Sequence, residues 1–189
     1  MLDLQRCSPL RDNARFFPAA GFQLRVLEAL TKLRVQVLRP RGTRLSAVDP
    51  NHLPERPNTT SGVDPIALWK APDDWLVYSQ TLAPEALRNW AGSIRSEAPL
   101  VVTDVSSASV VLELSGSRAL DVLMRDCTLD LEGDAVPPGA CAQTQFAQTT
   151  VMIHRPVSAE TWRLFVERSV TMHVWDWLLD TAGVDSPSR

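Results

Sequence analysis

An α+β fold, built on an antiparallel or mixed sheet with helices on one face, is what this 189-residue chain predicts. Three observations carry it. Short β-branched runs with period-two alternation recur from residue 66 to 167. Three helix-period segments fall between or after them. The order from 66 to 131 is β-α-β-β-α, close to the split β-α-β motif, and three strands and a helix follow.

Ile66 to Trp69 and Trp75 to Tyr78 read as strands around the turn Pro72-Asp73-Asp74. Pro84 opens a helix at the first-turn position proline favours, and Leu87, Trp90, Ala91 and Ile94 form its apolar face. Leu100 to Val105 and Val110 to Leu114 are strands, the second with Glu113 on the face opposite Val110, Leu112 and Leu114. Ser115-Gly116-Ser117 predicts a turn and a cap for a helix over Arg118 to Arg125. Ala142 to Gln148, Thr150 to His154 and Thr161 to Glu167 are strands. A final helix runs over about Ser169 to Thr181, with Ser169 to cap it and Gly183 to end it.

Upstream, proline sets the layout. Pro40, Pro50, Pro54, Pro57, Pro65 and Pro72 punctuate a polar stretch that regular helix or central strand cannot accommodate. Residues 1–65 therefore read as an N-terminal arm with a Pro-rich segment, and 66–189 as the folded domain. Within the arm, Phe22 to Leu38 fits helix or strand at its start and alternates like a strand from Leu33.

Apolar residues make up 44% and charged residues 22%, and the net charge is −3 with both signs scattered. That pattern supplies no basic footprint for nucleic acid and no polybasic stretch for an anionic membrane. The start of the chain has no signal-peptide core, and no run approaches the roughly 20 apolar residues of a membrane span. Cys7, Cys127 and Cys141, an odd number, fit reduced thiols. A cytoplasmic protein is expected.

No constellation here has the spacing of a catalytic or metal motif. Cys127, Cys141, His154 and His173 carry zinc-compatible chemistry, but zinc ligands usually come as closely spaced pairs, and here every gap is long. Buried thiols are the better reading. A Cys–His nucleophile has no local signature. Ser115-Gly116-Ser117 lacks a phosphate-loop pattern. Asp73 and Asp74 suit a turn. Asp104, at a strand end, suits a bond to a neighbouring backbone group or to an arginine of a partner.

The final helix points to partners. Trp175 and Trp177 diverge by about 200° around the axis. Val170, Val174, Trp177 and Leu178 define one apolar face, and Met172, Trp175 and Leu179 a second. That second face calls for a partner chain, or for a loop such as the N-terminal arm. Phe16 and Phe17 are potential anchors if the arm docks on a neighbour. The Pro-rich segment suits an extended docked peptide or a mobile tether.

From Pro99 onward the chain resembles the gamma subunit of heterotetrameric sarcosine oxidase. The residues are Val102-Thr103-Asp104-Val105-Ser106, Leu112-Glu113-Leu114-Ser115-Gly116, Ala119, Val122 and Leu123, and Cys127-Thr128-Leu129-Asp130-Leu131. Pro137-Pro138-Gly139-Ala140-Cys141-Ala142-Gln143-Thr144, His154-Arg155-Pro156, Arg168-Ser169 and Trp175-Asp176-Trp177-Leu178-Leu179 complete the set. Leu68-Trp69 and Asp73-Asp74-Trp75-Leu76 look like that family's first strand pair. The resemblance implies a fold similar to the N-terminal part of the folate-binding aminomethyltransferase. It also implies a place beside alpha, beta and delta subunits that oxidatively demethylate sarcosine or a related N-methyl amino acid. FAD, FMN, NAD, tetrahydrofolate and zinc would sit on those partners, with no catalytic, cofactor or metal residue on this chain. The rival reading is a stand-alone folate-binding or aminomethyltransferase-like domain.

Overall fold

Alternation resolves the ambiguous start. Phe22, Leu24 and Val26 are buried while Gln23 and Arg25 are exposed, which is the period of a strand and not of a helix. The computed structural model describes residues 10, 16–19, 21–39, 49, 51–133, 135–157 and 161–183; Cys7 lies outside them. Strands β1 (Phe16–Ala19), β2 (Phe22–Leu27), β3 (Thr31–Val37), β4 (Thr60–Ser61), β5 (Ile66–Ala71) and β6 (Asp74–Ser79) precede helix α1 (Pro84–Gly92). Then come β7 (Leu100–Asp104), β8 (Ser109–Ser115), α2 (Ala119–Met124), β9 (Ala140–Phe146), β10 (Thr149–Arg155), β11 (Thr161–Glu167) and α3 (Thr171–Ala182).

The strands divide between two antiparallel sheets where the sequence suggested one. The first runs β1-β2-β8-β11-β10-β9 and the second β4-β5-β6-β3-β7. The reason lies before residue 65. Strand β2 pairs with β8, the chain crosses at Glu28–Leu30, and β3 pairs with both β6 and β7. The segment read as an arm thus supplies an interior strand to each sheet. Because β6 and β7 both run antiparallel to β3, β6-α1-β7 is a split β-α-β unit with β3 in the gap.

Three clusters of buried side chains define the layers. Leu33, Val35, Trp75 and Val77 pack with Leu87, Ala91 and Ile94 around α1. Val110, Leu112, Leu114, Trp162, Leu164 and Val166 pack with Val122, Leu123, Val174 and Leu178 of α2 and α3. Between the sheets lie Leu68 and Tyr78 from one, and Val111, Cys141, Met152 and Phe165 from the other. Each sheet thus has helices on one face and the other sheet on its second face.

Trp175 and Leu179, expected at a partner interface, are buried in the chain's own core at 2% and 0% exposure, with Leu10 in the same cluster. Helix α2 packs against α3, so the second apolar face of α3 is covered from within. Met172 remains exposed, and Trp177 packs edge-on against Phe146 at 5.0 Å. Phe16 and Phe17 contribute backbone to β1, paired with β2; their side chains lie outside the described set. The described part of the Pro-rich segment packs on this chain: Leu53 is fully buried, and Trp75 Nε1 donates to the Pro54 carbonyl at 2.8 Å.

Neither serine expected as a cap makes a capping bond: Arg118 and Val170 occupy the cap positions, and Ser169 lies in a 3-10 turn over Arg168–Val170. Gly183 ends α3 in the left-handed conformation. Gly62 (φ +80°) leads into β5, and a Cβ there would lie 2.3 Å from the Pro65 carbonyl oxygen. Gly62→Ala is expected to cost about 1–3 kcal/mol in a thermal melt. Gly92→Ala, whose Cβ would meet nothing within 4 Å, should be neutral or stabilising.

Candidate functional site

Cross-strand register aligns the buried polar residues of the first sheet. Arg25 on β2 lies opposite Glu113 on β8, which lies opposite Arg163 on β11. Arg163 lies opposite His154 on β10, and His154 opposite Cys141 on β9. One row thus crosses five strands. Side chains alternate along each strand, and Val111 and Phe165, two residues from Glu113 and Arg163, face the second sheet, so the row faces it too.

Glu113 accepts from Arg163 Nε at 2.9 Å through Oε2 and from Arg25 through Oε1. It is 4% exposed, and the Arg163 side chain is 15% exposed. Arg163 Nη1 donates to the Tyr78 hydroxyl at 2.7 Å, and that hydroxyl lies 2.9 Å from His154 Nδ1. Tyr78 comes from β6 of the second sheet, so the network ties the sheets together. Its ring also packs edge-on against Phe165 at 5.1 Å.

Beside this network a pocket of about 280 Å³ opens to solvent. Tyr78, His154 and Arg163 line it on one side, and Gly62, Val63 and Asp64 contribute from the loop before β5. Val63 and Val157, also in its lining, are largely exposed. Asp64 accepts from the Gln80 and Thr81 backbone amides at 3.2 Å and from the Thr81 hydroxyl at 2.5 Å. Burial works against its charge, but these hydrogen bonds win and hold its carboxyl below the usual range.

The titratable groups are quiet. Burial, with Arg163 nearby, pushes His154 down to about 4, so it is neutral at physiological pH. Burial raises the Tyr78 phenol against the pull of Arg163, which leaves no phenolate base. Burial pushes the Cys141 thiol up to about 12, and its Sγ contacts the Thr59 and Trp69 carbonyls at 3.4 and 3.5 Å. That thiol is not a nucleophile.

The cysteines and histidines considered for zinc are dispersed. Cys127 lies near the Thr144 hydroxyl and His173 bonds the Ala147 carbonyl, away from the polar row. Among the described residues no group of three or more His, Cys, Asp or Glu side chains could hold a metal ion. Asp74 begins β6 and forms a forked ion pair with Arg34. Asp104 accepts from the Ser106 amide at 2.9 Å and from Arg88 at 3.1 Å, both within this chain. Sequence reasoning missed Glu113, Arg163 and Tyr78. The available signal was charge at strand positions that faced a second, unseen sheet.

His154 has a measurable consequence. The unfolded chain takes up a proton here below about pH 6.5, which the folded chain refuses until about pH 4. Stability therefore falls with pH across that window, by up to about 1.4 kcal/mol per pH unit, and is flat in this contribution above it. Urea unfolding at pH 7.5 and pH 5 should show the drop, and His154→Gln should lose this component of it.

The fold is shared with aminomethyltransferases. Glycine cleavage system aminomethyltransferase T from Bartonella henselae aligns with a TM-score of 0.58 at 16% identity, over 87% of this chain and 47% of that one. A chain of heterotetrameric sarcosine oxidase from Corynebacterium sp. U-96, solved in complex with pyrrole 2-carboxylate, aligns with a TM-score of 0.72 at 24% identity, over 94% of this chain and 92% of that one. The model of the sarcosine oxidase, gamma subunit family matches residues 57–184, and this chain belongs to that family. Sarcosine oxidase subunit gamma of Corynebacterium sp. strain P-1 is 30% identical over 168 residues, covering 86% of this chain and 80% of its relative. The strain U-96 counterpart is 31% identical over 113 residues, 60% of this chain and 54% of that one. The family match begins at residue 57, ahead of the Pro99 stretch that first suggested it. Among the described residues no helix is long and apolar enough to cross a membrane.

Proposed function

We propose that this chain is a non-catalytic, structural gamma subunit of a multi-subunit, flavin-dependent, sarcosine oxidase-like assembly. In this reading it packs with alpha, beta and delta subunits that demethylate an N-methyl amino acid and pass the one-carbon unit to tetrahydrofolate. FAD, FMN, NAD, tetrahydrofolate and zinc belong to those partners. The observation that carries the reading is the family match over residues 57–184, supported by a relative named sarcosine oxidase subunit gamma across 86% of the chain. The quiet chemistry of the polar row is consistent with a structural role, since neither Cys141 nor Tyr78 is activated. Exposed Met172, with Phe16 and Phe17, is where partner contact is proposed; Trp175 and Leu179 act from inside, by setting the position of α3.

A stand-alone folate-binding domain is the rival. The family match and the relative named sarcosine oxidase subunit gamma weigh against it, while the aminomethyltransferase likeness, at 16% identity, is one of fold alone. The deciding experiment is co-purification of the tagged chain, expressed with its neighbouring genes, and an absorbance scan of the eluate. A yellow complex with larger chains and turnover of an N-methyl amino acid is expected. A colourless eluate of this chain alone that binds tetrahydrofolate at micromolar concentration would overturn the reading.

A further inference from the structure

The polar row contains more hydrogen-bond donors than the protein uses. Arg163 has five N–H donors, and its bonds occupy Nε and Nη1; no protein acceptor among the described residues meets Nη2. An arginine can only donate, so the Tyr78 oxygen is the acceptor in that contact. The Tyr78 hydroxyl then donates to His154 Nδ1, 2.9 Å away. A neutral imidazole that accepts at Nδ1 carries its proton on Nε2. His154 is 2% exposed, and among the described residues its Nε2 has no protein partner. Buried donors of this kind are normally satisfied by water or by a ligand acceptor. Both residues line the same pocket.

Charge and size narrow the ligand. Glu113 is shared by two guanidinium groups, so this part of the row carries two cations to one anion. Asp64 lines the pocket with negative charge, which disfavours a dianion. About 280 Å³ admits a molecule of a few heavy atoms.

We propose that the pocket between the sheets binds a small monocarboxylate, held by Arg163 Nη2 and His154 Nε2. A carboxylate matches both donors, because it accepts charge-assisted bonds from two directions. Tyr78 fixes the imidazole tautomer, and Glu113 fixes the guanidinium plane. The pocket is on this chain, but partner subunits that take an N-methyl amino acid would bind such probes too, so only binding that substitutions lining this pocket weaken is assigned to it.

The test is calorimetric titration of the full chain, in the assembly in which it purifies, with sodium acetate and separately with glycine; sodium chloride at matched ionic strength is the control. Saturable acetate binding with a Kd on the order of millimolar is expected. Val157→Trp adds bulk at a lining position that is 80% exposed and outside the hydrogen-bond network, and should weaken binding about tenfold or more. His154→Phe should do the same. Glycine binding tighter than acetate identifies a zwitterionic ligand that also uses Asp64, and weaker binding identifies a simple carboxylate. No saturable binding of either probe, or equal affinity in wild type and Val157→Trp, overturns the proposal.

Discussion

Trp175→Ala should lower the stability of the chain by about 3–5 kcal/mol, the largest effect expected from any single truncation here. At about 2–4 °C per kcal/mol for a chain of this size, the melting temperature should fall by on the order of 10 °C. The side chain is 2% exposed and is among the largest of those fully buried, in the cluster that joins α2, α3 and the first sheet. Its loss leaves a void that rigid sheet residues cannot collapse to fill. Met172→Ala, on the exposed side of the same helix, should change stability by no more than about 0.5 kcal/mol and should act, if anywhere, on association. Thermal melts of both variants, each paired with a co-purification assay, separate core from interface. A small stability loss for Trp175→Ala together with lost association would return that tryptophan to the interface.

Glu113→Ala should be nearly as damaging, by about 3–5 kcal/mol. The wild-type pair need not be a large net contributor, because burying both charges is costly. Removing one partner is different: it strands the Arg163 guanidinium, whose side chain is 15% exposed, without a counter-charge. The Arg25 contact adds little, since that side chain is 53% exposed and screened. Glu113→Gln should cost less than Glu113→Ala, because an amide oxygen still accepts one bond. Adding Arg163→Met to Glu113→Gln should restore part of the loss, a non-additivity that urea unfolding of the four-member cycle measures directly. Strict additivity would show that the two residues do not act as a pair.

From residue 66 onward the elements were legible because their periods are clean. Trp162, Leu164 and Val166 against Arg163, Phe165 and Glu167 give one reading only, and Pro84 marks the start of α1. Two kinds of information were missing. The first is pairing between distant segments. Nothing local in Phe22–Leu27 says that it lies beside Leu112, so the first 65 residues looked like an arm and the sheet count came out as one. The second is what covers a face. Glu113 and Arg163 alternate with apolar residues as solvent-facing charges would, and only the second sheet makes them buried partners of Tyr78. The same blindness made Trp175 look like a contact for another chain. Asp104 is a milder case: it bonds the neighbouring Ser106 amide as expected, but the arginine it meets is Arg88 of this chain's own α1 and not one of a partner.

The place of β2 and β3 also governs how the chain comes to be folded. Arg25 meets Glu113 across 88 residues of sequence, and β3 waits for both β6 and β7. At about 5–20 residues per second of synthesis, β2 and β3 emerge several seconds before β8, β6 and β7 exist to cover them. During that interval Phe22, Leu24, Val26, Leu33 and Val35 have only water, or a chaperone, to meet. Topology of this kind folds slowly and exposes sticky edges while it does so. Soluble yield should therefore rise on cooler induction and slower growth, relative to 37 °C, by more than any surface substitution achieves.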